Sequence, residues 1–279
     1  MAGGTLYVVA TPIGNLGDIT DRARQTLAES DLVLAEDTRN TQKLLDSLSI
    51  DVPCTAVHNH NEREKVDWIA SKLDQGKKLS LVSDAGTPLI SDPGYPIVTQ
   101  LRDQGYSVVP IPGVSAITAA LSVCGLPTDR FCFEGFLPSK SGARQKKMLD
   151  LKGERRTMVF YEAPHRLLSM VTDISEIFGS QRKVSLCREI TKTFETIWTG
   201  PVEDLVAFVS EDLNQQKGEA VVLVSGREGV DKQDEITDSE RELMKLLLTE
   251  LPLKKAAVLA AKYSGKTKKV FYQWGVDNA

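Results

Sequence analysis

Apolar residues in this chain fall into short unbroken runs separated by amphipathic stretches, the pattern of strands alternating with helices. Leu6-Tyr-Val-Val-Ala10, residues 31–35, residues 54–57, Leu79-Ser-Leu-Val82 and Tyr106-Ser-Val-Val-Pro110 read as strands. Between them, residues 20–28, the stretch carrying Leu44, Leu45 and Leu48, and the stretch in which Val66, Ile69, Ala70 and Leu73 share a face read as helices. Thr20 or Asp21, Thr38 or Asn40, and Asn61 are expected to cap them, and Asp92 with Pro93 to open the helix after the fourth strand. Apolar strands with a helix between each pair predict a mostly parallel sheet covered on both faces. The fold class is therefore α/β.

After the breakers of Gly125-Leu-Pro-Thr128 the pattern changes. Residues 131–136, 157–161, 184–187 and 193–199 read as strands with only two clear helices among them, over 142–151 and 164–178. Thr193-Phe-Glu-Thr-Ile-Trp-Thr199 alternates, as an antiparallel strand with one wet face does. A helix over 202–209 and a strand over 220–224 complete a mixed α/β region. The polar stretch 229–235 reads as flexible, and three helices follow, the first with Ser239 and Glu242 spaced for a capping box. The expected organisation is an N-terminal α/β domain over 1–125, a mixed α/β domain over 126–226, and a helical appendage over 227–279.

Composition narrows the choices little but usefully. A net charge of −4 excludes nucleic-acid binding driven by overall charge, so any such contact must use local basic patches. Cys54, Cys124, Cys132 and Cys187 form no C-x-x-C pair, so no metal site or disulfide framework is expected. No basic-then-apolar leader follows Met1 and no apolar segment approaches membrane-spanning length, so a cytoplasmic location is expected.

The chemistry concentrates in turns. Ser83-Asp-Ala-Gly-Thr-Pro-Leu-Ile-Ser-Asp-Pro-Gly94 is far more heavily punctuated than a plain strand-to-helix connection requires. It sits where ligands bind in open α/β sheets, at the carboxyl ends of strands. Thr11-Pro-Ile-Gly-Asn-Leu-Gly-Asp18 and Ile111-Pro-Gly-Val-Ser-Ala116 are small-residue turns of the same kind. Neither Lys nor Arg occurs in 11–18 or 83–94, and there is no G-x-x-x-x-G-K-[ST], which argues against a triphosphate cradle.

Together TPIGNLGD, AEDTRNTQKLL, SDAGTPLISDPG, PIPGVSA, GFLP and FYEAPHRL resemble the ribosomal RNA small subunit methyltransferase I family. That family is a branch of the tetrapyrrole-methylase-like (class III) methyltransferases, and the motifs run in its order from Leu6 to about Val224. The resemblance implies S-adenosyl-L-methionine as cofactor, held in a cleft between two α/β domains. It implies 2′-O-methylation of one cytidine ribose, cytidine 1402, in the decoding region of 16S rRNA by a homodimer. It places cofactor contacts on Pro12, Ser83, Asp84, Ala85, Gly86, Ser115, Ala116, Tyr161, Glu162 and Ala220. The usual Gly-Asp-Pro of tetrapyrrole methylases is here Asp84-Ala85-Gly86, which shifts the carboxylate. The alternative is a class III enzyme acting on a tetrapyrrole or a protein side chain.

A ribose hydroxyl is weakly acidic, so a general base at a strand end would help. Glu162, His165 and Asp37 are the catalytic candidates, with His58 a further one; Asp37 can instead pair with Arg39, and His58 can serve as a hydrogen-bonding residue. The basic stretch Lys140, Arg144, Lys146, Lys147, with Arg166, is expected to face RNA. So are Lys266, Lys268 and Lys269, in a tail with six lysines and no acid from 253 to 276. The tail's aromatic residues suit either base stacking or a helical core.

Overall fold

The computed structural model describes residues 3–227 and 236–278, so the polar stretch 229–235 lies outside the described residues. The chain divides into two compact units, the first ending at Gly226 and the second starting at Arg227.

The first unit contains two five-stranded sheets. One is built from β1 (Thr5–Val9), β2 (Leu32–Ala35), β3 (Cys54–Ala56), β4 (Lys78–Val82) and β5 (Ser107–Ile111), in the order β3-β2-β4-β1-β5 with every pair parallel. Helices α1 (Asp21–Ala28), α2 (Thr38–Ser47), α3 (Val66–Asp74) and α4 (Tyr95–Asp103) make the four crossovers, and α5 (Ala116–Val123) follows β5. Its two faces carry separate cores, one around Leu6, Ile69, Leu79 and Ile97, the other around Val9, Leu27, Val33 and Leu45. Because β4 inserts between β2 and β1, the turns after β1, β4 and β5 meet at one carboxyl edge.

The second sheet uses β6 (Phe131–Phe136), β7 (Thr157–Glu162), β8 (Lys183–Arg188), β9 (Thr196–Pro201) and β10 (Ala220–Val224), ordered β6-β7-β10-β8-β9. Only β6 and β7 are parallel; the other pairs are antiparallel. Helices α6 (Ser141–Asp150), α7 (Leu167–Phe178) and α8 (Val202–Glu211) cover one face through Met148, Met170, Ile174 and Leu205. Helix α5 packs Ile117, Ala120 and Cys124 onto the opposite face, against Val159, Cys187, Val221 and Leu223, and so joins the two sheets.

In the second unit, α9 (Asp238–Glu250), α10 (Leu253–Ser264) and α11 (Lys268–Asp277) enclose Met244, Ala256, Ala257, Ala260 and Phe271. The capping box is Thr237 with Glu240, two residues before the expected Ser239 and Glu242.

Several other helix starts differ from expectation for local reasons. Thr20 caps α1, one of the two expected choices, but Asp37 caps α2 by accepting from the Arg39 amide. Asn61 does not cap α3: its side chain accepts the His58 amide 2.9 Å away and forms a turn, and α3 starts after Lys65. Asp92 does not cap α4 either; Gly94 does, with φ +120°, and Pro96 occupies the first turn. Residues 164–166 form a separate 3-10 turn before α7, and the strand expected from 193 starts at Thr196.

Candidate active site

The carboxyl edge of the first sheet is tied together by its own backbone. Thr11 and Gly86 exchange both amide bonds, at 2.9 and 3.0 Å, in a short antiparallel bridge. The Thr87 hydroxyl donates to the Val114 carbonyl at 2.9 Å, linking the β4 turn to the β5 turn. Gly86 has φ +78°, and a Cβ there would stand 3.3 Å from the Ile13 side chain, so glycine is the residue that fits. Farther along the loop Leu89 and Ser91 also have positive φ, at 72° and 69°. Left-handed geometry at two non-glycine residues costs about 1–2 kcal/mol each and persists only where the surroundings enforce it. The far end of the loop is held by the buried Glu62 carboxylate, which accepts the Gly94 amide at 2.6 Å.

Against this edge lies a cavity of about 370 Å³, within the size range of small-molecule sites. Ile13, Ser91, Asp92 and Ala116 line it from the first sheet's turns, and Phe136, Tyr161, Glu162, Ala163, Pro164, Lys192, Glu219 and Ala220 from the second sheet. Ala220 stands directly opposite Glu162 across the β10–β7 ladder. The lining is mostly apolar, with a few polar groups placed around it. Lys192 projects from the β8–β9 turn across to Gly14, its ammonium held by Glu189 at 2.9 Å and Glu219 at 3.0 Å. Buried Arg188 fastens that turn by donating to Gln215, the Lys217 carbonyl and the Phe194 carbonyl.

Charge in the cavity is unbalanced. Burial, with Glu36 and Asp84 nearby, pushes the Asp92 carboxyl up to about 6. Burial also raises Tyr161 to about 12, keeping it a protonated donor. The Glu162 side chain is fully buried; burial raises its pKa while the Ala163 amide at 2.8 Å and Arg166 oppose the shift.

Of the residues expected from sequence, Ala116, Tyr161, Glu162 and Ala220 line the cavity. Pro12, Ser83, Asp84, Ala85, Gly86 and Ser115 do not: they shape the edge behind it. Both Asp84 oxygens are engaged, by the Asp37 amide at 3.1 Å and Asn40 at 3.0 Å, so Asp84 anchors α2 to the β4 turn. Among the catalytic candidates only Glu162 reaches the cavity. Asp37 is paired with Arg39 at 2.6 Å, which pulls it down to about 2 and makes it a poor proton acceptor. His165 is exposed on the 3-10 turn and His58 belongs to the Asn61 turn.

Three expected RNA contacts are corrected. The Arg144 side chain is 5% exposed and bonds Asp173 at 2.5 Å, clamping α6 to α7. Arg166 turns inward to Glu162 and the Leu137 carbonyl. Lys266, its side chain 11% exposed, pairs with Glu240 at 2.5 Å; Lys147 also pairs, with Glu134 at 2.9 Å, but its side chain stays 42% exposed. Lys140, Lys146, Lys268 and Lys269 are exposed. Asp92, Lys192 and Phe136 are site residues the sequence reading missed. A signal existed for Asp92 in the second half of the β4 loop; none existed for Lys192, which reaches the cavity only through the turn at 189–195.

Residues 5–206 match the family model for Tetrapyrrole (Corrin/Porphyrin) Methylases, and residues 234–279 match one for the RsmI C-terminal HTH domain. The fold is similar to the solved methyltransferase CobJ, with a TM-score of 0.59 at 18% identity over 81% of this chain and 97% of that one. It is similar also to the cobalt precorrin-4 methyltransferase CbiF, with a TM-score of 0.58 at 18% identity over 79% and 94%. Two sheets joined through α5 around a loop-edged cleft thus define a methyltransferase of the tetrapyrrole-methylase class.

Within that class the relatives are much nearer. A ribosomal RNA small subunit methyltransferase I from Pseudomonas aeruginosa is 50% identical over 98% of this chain and 97% of its own length. Those from Vibrio cholerae and Escherichia coli O157:H7 are each 49% identical over 98% of this chain and 94% and 95% of their own. The chain belongs to the ribosomal RNA small subunit methyltransferase I family.

Proposed function

We propose that the protein transfers a methyl group from S-adenosyl-L-methionine to the 2′-oxygen of a cytidine ribose, cytidine 1402, in the decoding region of 16S rRNA. The observation that carries this is near-full-length identity of about half to small-subunit rRNA methyltransferases, through the C-terminal unit as well as the α/β unit.

The cleft suits the cofactor on chemical grounds. Asp92 is a desolvated carboxyl whose charged neighbours are Glu36 and Asp84, so a cation placed beside it relieves the imbalance. The cofactor is a sulfonium that also carries an ammonium group, and Asp92, Glu162 and Glu219 are the carboxylates facing that space. Ala116, Ala163 and Ala220 leave room for it, and Tyr161 offers a hydroxyl donor. Bound there, the cofactor supplies a methyl on a good leaving group. The chain's own contribution is to position the acceptor, exclude water and take up the hydroxyl proton. Glu162, at the end of β7, is the carboxylate we assign nearest that role, held in place by Arg166 of the 3-10 turn that also carries His165.

Exposed Lys140 and Lys146 on the α6 side, and Lys268 and Lys269 on α11, supply phosphate contacts, and the protein acts as a cytoplasmic homodimer. Tyr263 and Tyr272 are exposed and free to stack on bases, whereas Phe271 is the core of the helical unit. Purified protein should transfer labelled methyl to small ribosomal subunits from cells lacking the modification, mapping to that one ribose, and leave a porphyrinoid unlabelled. Labelling of the porphyrinoid alone would reverse the assignment. Glu162→Gln and His165→Ala should slow single-turnover transfer; unchanged rates in both would remove the turn from the chemistry.

A further inference from the structure

One apolar feature at the cleft serves neither the core nor the cofactor reading above. Phe136 is 56% exposed although it ends a strand and lines the cavity. It leans on Tyr161, with ring centroids 5.5 Å apart, and Tyr161 meets Phe133 edge-on at 4.9 Å. The ring is aimed there by a break in the β6–β7 register between Phe133 and Gly135, with Gly135 at φ +68°. Bulges of this kind redirect the next side chain and recur beside active sites. The space for a Gly135 Cβ ends 3.6 Å from the Ser91 hydroxyl, so the bulge abuts the strained β4 loop. Two local distortions thus meet beside one exposed aromatic ring.

We propose that Phe136 is a stacking platform for the base of the nucleotide whose ribose is methylated. The inference rests on the ribose-methylation reading. A 2′-hydroxyl can reach a recessed methyl donor only if its nucleotide leaves the helical stack, and the freed base then needs a π-surface. Phe136 offers one at the mouth of the cavity, braced by Tyr161 and Phe133. The chain beyond it carries exposed Lys140 and Lys146, which suits a flanking phosphate backbone. The ring selects for an unstacked base and is indifferent to its edge, so it contributes acceptor affinity and leaves sequence choice to other groups.

The test uses full-length protein, labelled cofactor and unmodified small subunits. Phe136→Ala should raise the KM for subunits about 5- to 100-fold, the usual loss when one stacked base loses its aromatic partner. Cofactor affinity by calorimetry, the melting temperature and the oligomeric state should stay as in the wild type. Phe136→Trp should restore the KM, whereas Phe136→Leu, which keeps an apolar side chain without a π-face, should not. An unchanged KM in Phe136→Ala, or full function in Phe136→Leu, overturns the inference. Parallel loss of cofactor affinity assigns the ring to the cofactor, and a change of oligomeric state assigns it to an interface; either overturns it. A wild type that labels no ribosomal substrate overturns the parent reading, and this inference with it.

Discussion

The two sheets of the first unit hold their shares of the cleft by different means. The parallel sheet uses backbone: the Thr11–Gly86 bridge, left-handed residues at Gly86, Leu89, Ser91 and Gly94, and the Glu62 carboxylate on the Gly94 amide. The mixed sheet uses charged side chains: Arg166 on Glu162, Arg144 on Asp173, and the Arg188 fork under the turn that carries Lys192. A wall made of main chain is damaged by adding atoms. A wall held by buried charged side chains is damaged by removing a partner, because the charge left behind is buried without water.

That contrast can be broken at four places. The largest effect is expected from Arg144→Ala, which strands Asp173 in the core and should cost about 3–5 kcal/mol in urea unfolding. Replacing both partners, as Arg144→Met with Asp173→Leu, should recover most of it. A single-variant cost below about 1 kcal/mol would mean the pair is not what clamps α6 to α7.

Next comes Gly94→Ala in the backbone-built wall. Its φ of +120° and a Cβ only 2.9 Å from the Leu81 side chain predict a loss of about 1–3 kcal/mol by thermal melting. Gly76→Ala, at φ +78° in open space, should lose only about 1 kcal/mol, from strain alone. Equal losses would show that close approach is irrelevant at the loop.

Asp92 gives the pH-dependent case. Its folded pKa lies near 6, above the ordinary carboxyl value of 3.8, so the folded state prefers the protonated form. That contribution is complete below about pH 4 and is lost as pH rises through 6. Asp92→Asn escapes the loss and should be more stable than wild type at pH 8 by about 1–2 kcal/mol, discounted for partial exposure, with no gain at pH 4. A gain that does not change with pH would deny that burial of the carboxyl is its cause. Smallest in stability are Lys140→Ala and Lys146→Ala, within about 0.5 kcal/mol. Each should instead flatten the salt dependence of subunit binding by about 0.7 in logarithmic slope.

Much of the architecture was legible because hydrophobic period and topology are coupled. The five apolar runs up to residue 111 became the five parallel strands, and the alternation at 193–199 correctly marked β9 as an antiparallel strand, though it starts at Thr196. Helix starts were read less well, because Asn61, Asp92 and Ser239 all have capping side chains, yet Asn61 closes a local turn on the His58 amide and Thr237 with Glu240 forms the capping box two residues before Ser239. Of the cofactor contacts the resemblance implies, Tyr161, Glu162 and Ala220, at strand ends, line the cavity. Basic residues did not read reliably: Arg144, Arg166 and Lys266 are as cationic in sequence as Lys140 and Lys146, yet each found a buried or half-buried carboxylate. Charge density along a chain does not reveal which charges are already neutralised.

The most direct test titrates S-adenosyl-L-methionine into the full-length protein by calorimetry, comparing wild type with Ala116→Trp, a change at a partly exposed position on the cavity wall. With both proteins folded as judged by melting, the wild type should bind one cofactor per chain and the variant should give no binding heat. Equal binding by both would place the cofactor outside this cleft and contradict the account.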